Sequence, residues 1–205
     1  MNAYDHLARD PVMAALIARF GKIRRRPTRQ EPYEALCEAV VYQQLSGKAA
    51  GTIHGRVVDR IGGGAFPPPE RLLDATDEAL RAAGLSRNKA AYLRDLARHA
   101  LDGRLPTFEA CKRLSDDELI TRLTDIRGIG RWTVEMFLMF TLGRPDVLPV
   151  DDLGIRRGYQ FACGHAEPPK PQALAALGER WAPHRTLAAF YLWRAADGAP
   201  GEHTV

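Results

Sequence analysis

The chain has 205 residues, 45% hydrophobic and 26% charged, which suits one soluble globular domain or two small lobes sharing a core. No apolar run approaches the ~18–20 residues that cross a bilayer, and the opening MNAYDHLARDP has no basic segment leading into an apolar one. The expectation is therefore a cytoplasmic protein with no secretory signal and no membrane partner. A net charge of +4 and a pI near 9.1 suit a polyanionic partner without requiring one. One tight basic cluster, Lys22, Arg24, Arg25, Arg26 and Arg29, reads equally as a solvated linker or a phosphate contact. Cys37, Cys111 and Cys163 are scattered and odd in number, without a CxxC pair, which argues against a zinc site or an iron–sulfur cluster.

The pattern is helical nearly throughout. Residues 11–20 place Val12, Leu16, Ile17 and Phe20 on one face. Residues 32–61 predict two amphipathic helices broken near Ser46–Gly47. Leu36, Cys37 and Val40 form one stripe, and Ile53, Val57, Val58 and Ile61 the next. Gly62–Gly64 and Pro67–Pro69 read as breakers. Thr76 or Asp77 caps a helix ending at Gly84, and Ser86 caps a longer one through Ala100. Ser115 and Glu118 form a capping box. Further helices are expected over 131–142, 152–162, 171–178 and 184–196, with a frayed, disordered tail from about 198 to 205. With no alternating strand pattern, the fold class is all-α. About ten helices are expected, arranged in two lobes with a cleft between them, as one domain spanning 1–205.

The most informative segment is LTDIRGIGRWTVEMFLMFTLGRPDVLPVDDLGIRR, residues 123–157. A helix ends near Leu123, a turn holds Gly128-Ile129-Gly130, and a second helix starts at once with Arg131-Trp132-Thr133. The two glycines allow unusual φ values and close backbone approach, and Ile129 can plug the space between the helices. The amides opening the second helix then face outward, where the helix dipole favours a phosphate. Arg127 and Arg131 add charge on either side. This is a helix-hairpin-helix pattern over about 115–142, although an ordinary αα-turn can also carry GxG. Such a hairpin grips backbone without reading bases. Further on, PVDDLGIRR places Asp151 and Asp152 at a helix start. One of the two suffices for a cap, leaving the other as a candidate working carboxylate.

With Gly143, Pro149 and Asp152 following the hairpin, the segment resembles the helix-hairpin-helix–Gly/Pro–Asp superfamily of DNA glycosylases. VVYQQLSGKAAGTIHGRV, LRAAGLSRNKAAYLRDLA and HRTLAAFYLWR are similar to its 3-methyladenine DNA glycosylase II (AlkA-type) branch. The matching blocks span roughly 33–196. The chain lacks the β-rich N-terminal domain of the longer bacterial form, so it looks like the short catalytic-core version.

The resemblance implies Asp152 as the catalytic carboxylate, with Asp151 as the neighbouring cap. It implies a base pocket lined by Trp132 and Trp193, with Tyr42 and Tyr191 as further candidates, against core packing as the plain alternative. A side chain of the QQLS turn, Gln44 or Leu45, would enter the minor groove as a wedge, and Leu45 also reads as core. Backbone contacts are expected from Ser46, Lys48, Arg127, Gly128, Gly130, Arg131 and Thr133. A structural Na⁺ or K⁺ is expected on the main-chain carbonyls of Thr124, Ile126 and Ile129, and no other cofactor. Strand-nicking relatives carry a Schiff-base lysine where this chain has Trp132, and many carry four cysteines, so a monofunctional enzyme leaving an abasic site is expected. The implied partner is double-stranded DNA containing alkylated bases, acted on by a monomer associated with the nucleoid. Two alternatives stay open: a glycosylase of this fold for oxidised, deaminated or mispaired bases, and a non-catalytic DNA-binding hairpin.

Overall fold

The computed structural model describes residues 2–198. Among them are thirteen α-helices and no strand. In chain order these are α1 (Ala3–Leu7), α2 (Pro11–Phe20), α3 (Pro32–Tyr42), α4 (Gly47–Val57), α5 (Pro69–Asp74), α6 (Asp77–Ala82) and α7 (Arg87–Leu101). They continue with α8 (Phe108–Arg113), α9 (Asp116–Thr124), α10 (Arg131–Met136), α11 (Leu153–Cys163), α12 (Pro171–Gly178) and α13 (Arg185–Asp197). Wider π-type turns, Val58–Gly62 and Phe137–Leu142, prolong α4 and α10, and a 3₁₀ turn, Glu179–Trp181, follows α12. The three helices beyond the expected ten are α1, α5 and α8. The expected disordered tail falls almost wholly outside the described residues.

Helix starts follow the chemistry of the sequence. Asp10 Oδ1 accepts the Val12 and Met13 amides at 2.9 and 3.0 Å. Ser46, Thr76, Ser86, Thr107 and Ser115 cap α4, α6, α7, α8 and α9, the last through a complete capping box with Glu118. Proline opens α2, α3, α5 and α12, where its missing N–H has no helical partner to lose. Pro69 therefore starts a helix, correcting the reading of Pro67–Pro69 as only a breaker.

The described residues divide into two compact units. One comprises residues 28–137. Its α3 and α5 pack on α7, burying Leu36, Val40, Leu72, Leu93 and Leu96, with Leu119, Leu123, Ile126 and Ile129 beneath the hairpin. Cys37 lies in this core, where burial pushes its thiol pKa well up. The other unit comprises residues 2–27 and 138–198, built on α11 against α13 with α2 alongside. A Cβ on Gly158 would stand 1.8 Å from the Leu192 carbonyl oxygen, so only glycine lets α11 and α13 approach this closely. The loop 143–152 is tied to the start of α13. Asp146 accepts from the Arg185 guanidinium (2.9 Å) and amide (3.1 Å), and Thr186 Oγ1 accepts the Val147 amide (3.0 Å) while donating to the Arg144 carbonyl (2.7 Å). These bonds fix the approach of the chain to Asp152.

Candidate functional site

In the unit of residues 28–137, α9 and α10 form the expected hairpin. Ile129 is 4% exposed and donates its amide to the Ile126 carbonyl at 3.0 Å, so it does plug the turn. Gly128 has φ +87°, and a Cβ there would meet the Tyr92 ring at 2.3 Å; both backbone and space demand glycine. Gly130 is different: its backbone is extended, and a Cβ would meet nothing within 4 Å. Gly130 caps α10 without a side chain, so the first α10 amides have neither a helical acceptor nor a capping oxygen from Gly130. Of the carbonyls expected to hold a cation, that of Ile126 accepts the Ile129 amide and keeps a second lone pair.

The side chains around the turn differ in part from expectation. Arg127 is exposed, its guanidinium 5.8 Å from the Tyr92 centroid, and its amide donates to Asp95 Oδ2 at 3.0 Å. Arg131 keeps an exposed head, but its Nε pairs with buried Glu135 at 3.0 Å, an i,i+4 contact that neutralises part of its charge. The Thr133 side chain turns inward. It is 4% exposed, and its hydroxyl accepts from Gln43 Nε2 at 3.4 Å, so only its backbone amide belongs to the hairpin mouth.

The QQLS turn links α3 to α4. Gln44 has φ +57°, a left-handed conformation a glutamine adopts only under constraint. Gln44 and Leu45 are both exposed, Leu45 at 40%, which removes the core alternative for Leu45 and leaves either residue as wedge. Ser46 caps α4 by accepting the Ala49 amide at 3.4 Å, and Lys48 is exposed beside it. Trp132 and Tyr42 are exposed at 45% and 38%, so core packing is not their role. Sequence reasoning missed two residues here. Gln43 Nε2 donates to the Gly128 carbonyl at 3.0 Å, and Lys89 Nζ donates to the Val41 and Gln43 carbonyls at 2.7 Å each. The only signal in the sequence was the glutamine doublet itself.

In the other unit, Asp152 is half-buried at the start of α11. Its amide donates to the Pro149 carbonyl at 3.1 Å. Its Oδ1 accepts two donors, the Ile155 amide at 2.8 Å and Trp193 Nε1 at 2.9 Å. The expected division of labour between the aspartates is thereby corrected: Asp152 is itself the cap, and Asp151 is exposed beside it. Gly154 makes room for the pair, since a Cβ there would stand 3.1 Å from both Asp152 Oδ1 and Trp193 Cδ1. Phe140 and Phe190 stack on the Trp193 ring with centroids at 5.9 and 6.0 Å. Arg25 lies over Phe140 and Phe190 at 5.4 and 5.7 Å, so this member of the basic cluster packs on aromatic faces instead of dangling in solvent. Tyr191 is corrected as a pocket residue. It is fully buried and donates its hydroxyl to the Gly21 carbonyl at 2.7 Å, and burial raises its pKa.

A hairpin whose second helix starts at a glycine cap and a Pro-x-Asp-Asp element ending in a fixed carboxylate together define a class. The HhH-GPD superfamily of base excision DNA repair proteins matches residues 37–183, and the chain belongs to it. DNA-3-methyladenine glycosylase 1 of Schizosaccharomyces pombe is 48% identical over 168 residues, 81% of this chain and 73% of that protein. The solved structure of the S. pombe 3-methyladenine DNA glycosylase in complex with abasic DNA superposes with a TM-score of 0.87 at 43% identity, covering 95% of this chain and 96% of that one. The DNA-3-methyladenine glycosidase of Bacillus halodurans superposes with a TM-score of 0.84 at 42% identity, covering 94% and 88%.

Proposed function

We propose that this protein is a monofunctional DNA glycosylase that extrudes alkylated purines of the 3-methyladenine and 7-methylguanine class from duplex DNA and hydrolyses their N-glycosidic bond. The reading is supported by the kinship to 3-methyladenine glycosylases and carried by one observation: two donors hold the Asp152 carboxylate in a single orientation at the start of α11. Scission develops positive charge on the deoxyribose, and an ionised, pre-oriented carboxylate stabilises it. The bond's electron pair leaves with the base. Water adds at the sugar carbon, and its proton passes to Asp152 or to solvent. A purine alkylated at N3 or N7 is already cationic and leaves readily, so the protein needs aromatic faces more than a general acid. Trp132 and Trp193 supply these, each contributing roughly 0.5–2 kcal/mol by cation–π and stacking contact, with Tyr42 as a lesser surface.

Gln44 or Leu45 fills the gap left by the extruded base. The α10 amides, flanked by Arg127 and Arg131, grip a phosphate, with Ser46 and Lys48 on the backbone nearby. The main-chain carbonyls of Thr124, Ile126 and Ile129 would hold a Na⁺ or K⁺, which would supply positive charge toward the DNA backbone, and the chemistry uses no other cofactor. With tryptophan at position 132 no Schiff base forms there, so the product is an abasic site. The enzyme acts as a monomer on duplex DNA. The test is an excision panel: release of 3-methyladenine and 7-methylguanine by wild type, lost in Asp152→Asn, supports the reading. Preferential release of 8-oxoguanine or a mispaired base, or no release of any lesion, rejects it.

A further inference from the structure

The hairpin and the QQLS turn are joined by a short chain of hydrogen bonds whose members no step above uses. Gln43 reaches from the end of α3 to the hairpin, donating to the Gly128 carbonyl at 3.0 Å, with Thr133 Oγ1 at 3.4 Å from the same nitrogen. Lys89, in the first turn of α7, donates to the carbonyls of Val41 and Gln43 at 2.7 Å each. These are carbonyls of the closing turn of α3, where the helix dipole is negative and a cation is stabilising. Desolvation pulls the Lys89 pKa below its ordinary value, as expected of an ammonium drawn in from solvent to reach these carbonyls. The next residue, Gln44, is held at φ +57°. A non-glycine residue persists there only when its surroundings over-determine it, and the bonds on Gln43 from both sides do so.

We propose that Gln43 and Lys89 are positioning residues that lock the exposed Gln44–Leu45 tip to the Gly128 turn, so that the wedge and the phosphate grip hold one fixed register. Gly128 is itself immobilised against the Tyr92 ring, so the tip is referenced to a rigid point. The wedge then enters the duplex already shaped, and base extrusion need not first order the loop. Loss of Gln43 would free the tip without touching the α10 amides, the aromatic faces or Asp152.

The proposal rests on the glycosylase reading, and its test separates the two. Extrusion is followed by the fluorescence of a 2-aminopurine placed beside a lesion, a signal that does not require the bond to break. Affinity for undamaged duplex reports the phosphate grip. Gln43→Ala is expected to lower the extrusion amplitude and the single-turnover excision rate by about five- to tenfold, with duplex affinity within about twofold of wild type. Lys89→Met should do the same and Lys89→Arg should restore most of the signal, since arginine keeps the donors. The proposal is overturned if both variants extrude as wild type does. It is equally overturned if duplex affinity and melting temperature fall in step with excision, because that marks a merely structural role. A wild type that extrudes but releases no base would reject the glycosylase reading and leave the extrusion comparison intact.

Discussion

Trp193 Nε1 and the Ile155 amide converge on the same atom, Oδ1 of Asp152, at 2.9 and 2.8 Å. One carboxylate oxygen thus caps a helix and anchors an aromatic ring 41 residues further along the chain. This arrangement separates folding from chemistry in a measurable way. Asp152→Asn keeps an oxygen able to accept both donors but removes the charge. Its melting temperature should stay near wild type while single-turnover excision falls by about 100-fold or more. Asp152→Ala removes charge and cap together and should also lose about 1 kcal/mol of stability in chemical denaturation. An Asp152→Asn variant that excises normally would remove this residue from the reaction.

Trp193 admits a finer cut. Trp193→Phe keeps an aromatic face between Phe140 and Phe190 but deletes the Nε1 donor to Asp152 Oδ1 while the Ile155 amide stays in place. Excision should slow by roughly tenfold, the worth of one hydrogen bond to a charged group. Trp193→Ala should lose more, because it also deletes the stacking surface. If Phe matches the wild-type rate, Trp193 contributes only its face.

The two hairpin glycines should behave oppositely, although the sequence presents them as a symmetric GxG. At Gly128 an alanine Cβ would lie 2.3 Å from the Tyr92 ring on a backbone at φ +87°. Gly128→Ala should cost at least about 2 kcal/mol in denaturant melts and lose DNA binding with the fold. Gly130 is extended, with nothing within 4 Å of a Cβ. Gly130→Ala should cost under about 1 kcal/mol yet weaken duplex binding, because on the proposed reading the new methyl would stand in the path of a phosphate approaching the α10 amides. Equal thermal shifts in the two variants would contradict this account.

These contrasts show what was legible in the sequence. Local rules located several helix starts, because capping by Thr76, Ser86 and Ser115 depends on residues three positions apart. The hairpin was legible as a contiguous motif, whereas only the family resemblance chose Asp152 over Asp151, and the cap fell to Asp152 itself. Short helices such as Pro69–Asp74 escaped because six residues carry too little periodicity, and the π-type turn at Phe137–Leu142 leaves no compositional trace. The Trp193–Asp152 bond, the Gln43–Gly128 bond and the burial of Tyr191 are facts of tertiary packing. Thr133 shows the boundary clearly: its place in the motif was correctly read, but the inward direction of its side chain was set by Gln43, ninety residues earlier.

Acid should weaken the loop that delivers Asp152. Burial alone would raise the Asp146 pKa, but hydrogen bonds from the Arg185 side chain and amide outweigh it and hold the value below the ordinary 3.8. A carboxylate depressed in the folded state stabilises fully above its unfolded value and loses that contribution as pH falls through the folded one. Wild type should therefore lose about 1 kcal/mol more than Asp146→Asn between neutral pH and pH values below that range, measured by urea midpoints. Equal acid slopes in the two proteins would show that the Arg185 pair contributes nothing.

Gly154 and Gly158 lie one turn apart on α11 and should divide activity from stability. At Gly158 a Cβ would stand 1.8 Å from the Leu192 carbonyl oxygen, a backbone atom that cannot move without separating α11 from α13. Gly158→Ala should cost several kcal/mol, on the order of the largest core substitutions, and should reduce soluble yield. At Gly154 the conflict is milder and falls on the Asp152–Trp193 pair, 3.1 Å from Asp152 Oδ1 and from Trp193 Cδ1. The indole or the carboxylate must shift by a few tenths of an ångström, enough to lengthen the Nε1–Oδ1 bond. Alanine's helix preference, worth about 0.5–1 kcal/mol, offsets much of the strain. Gly154→Ala should thus melt within a few degrees of wild type while excising several-fold more slowly, a slowing that Trp193→Phe should partly mask in the double variant because the bond at stake is already gone. Additive losses in that double variant would mean that Gly154 acts on something other than the Trp193–Asp152 contact.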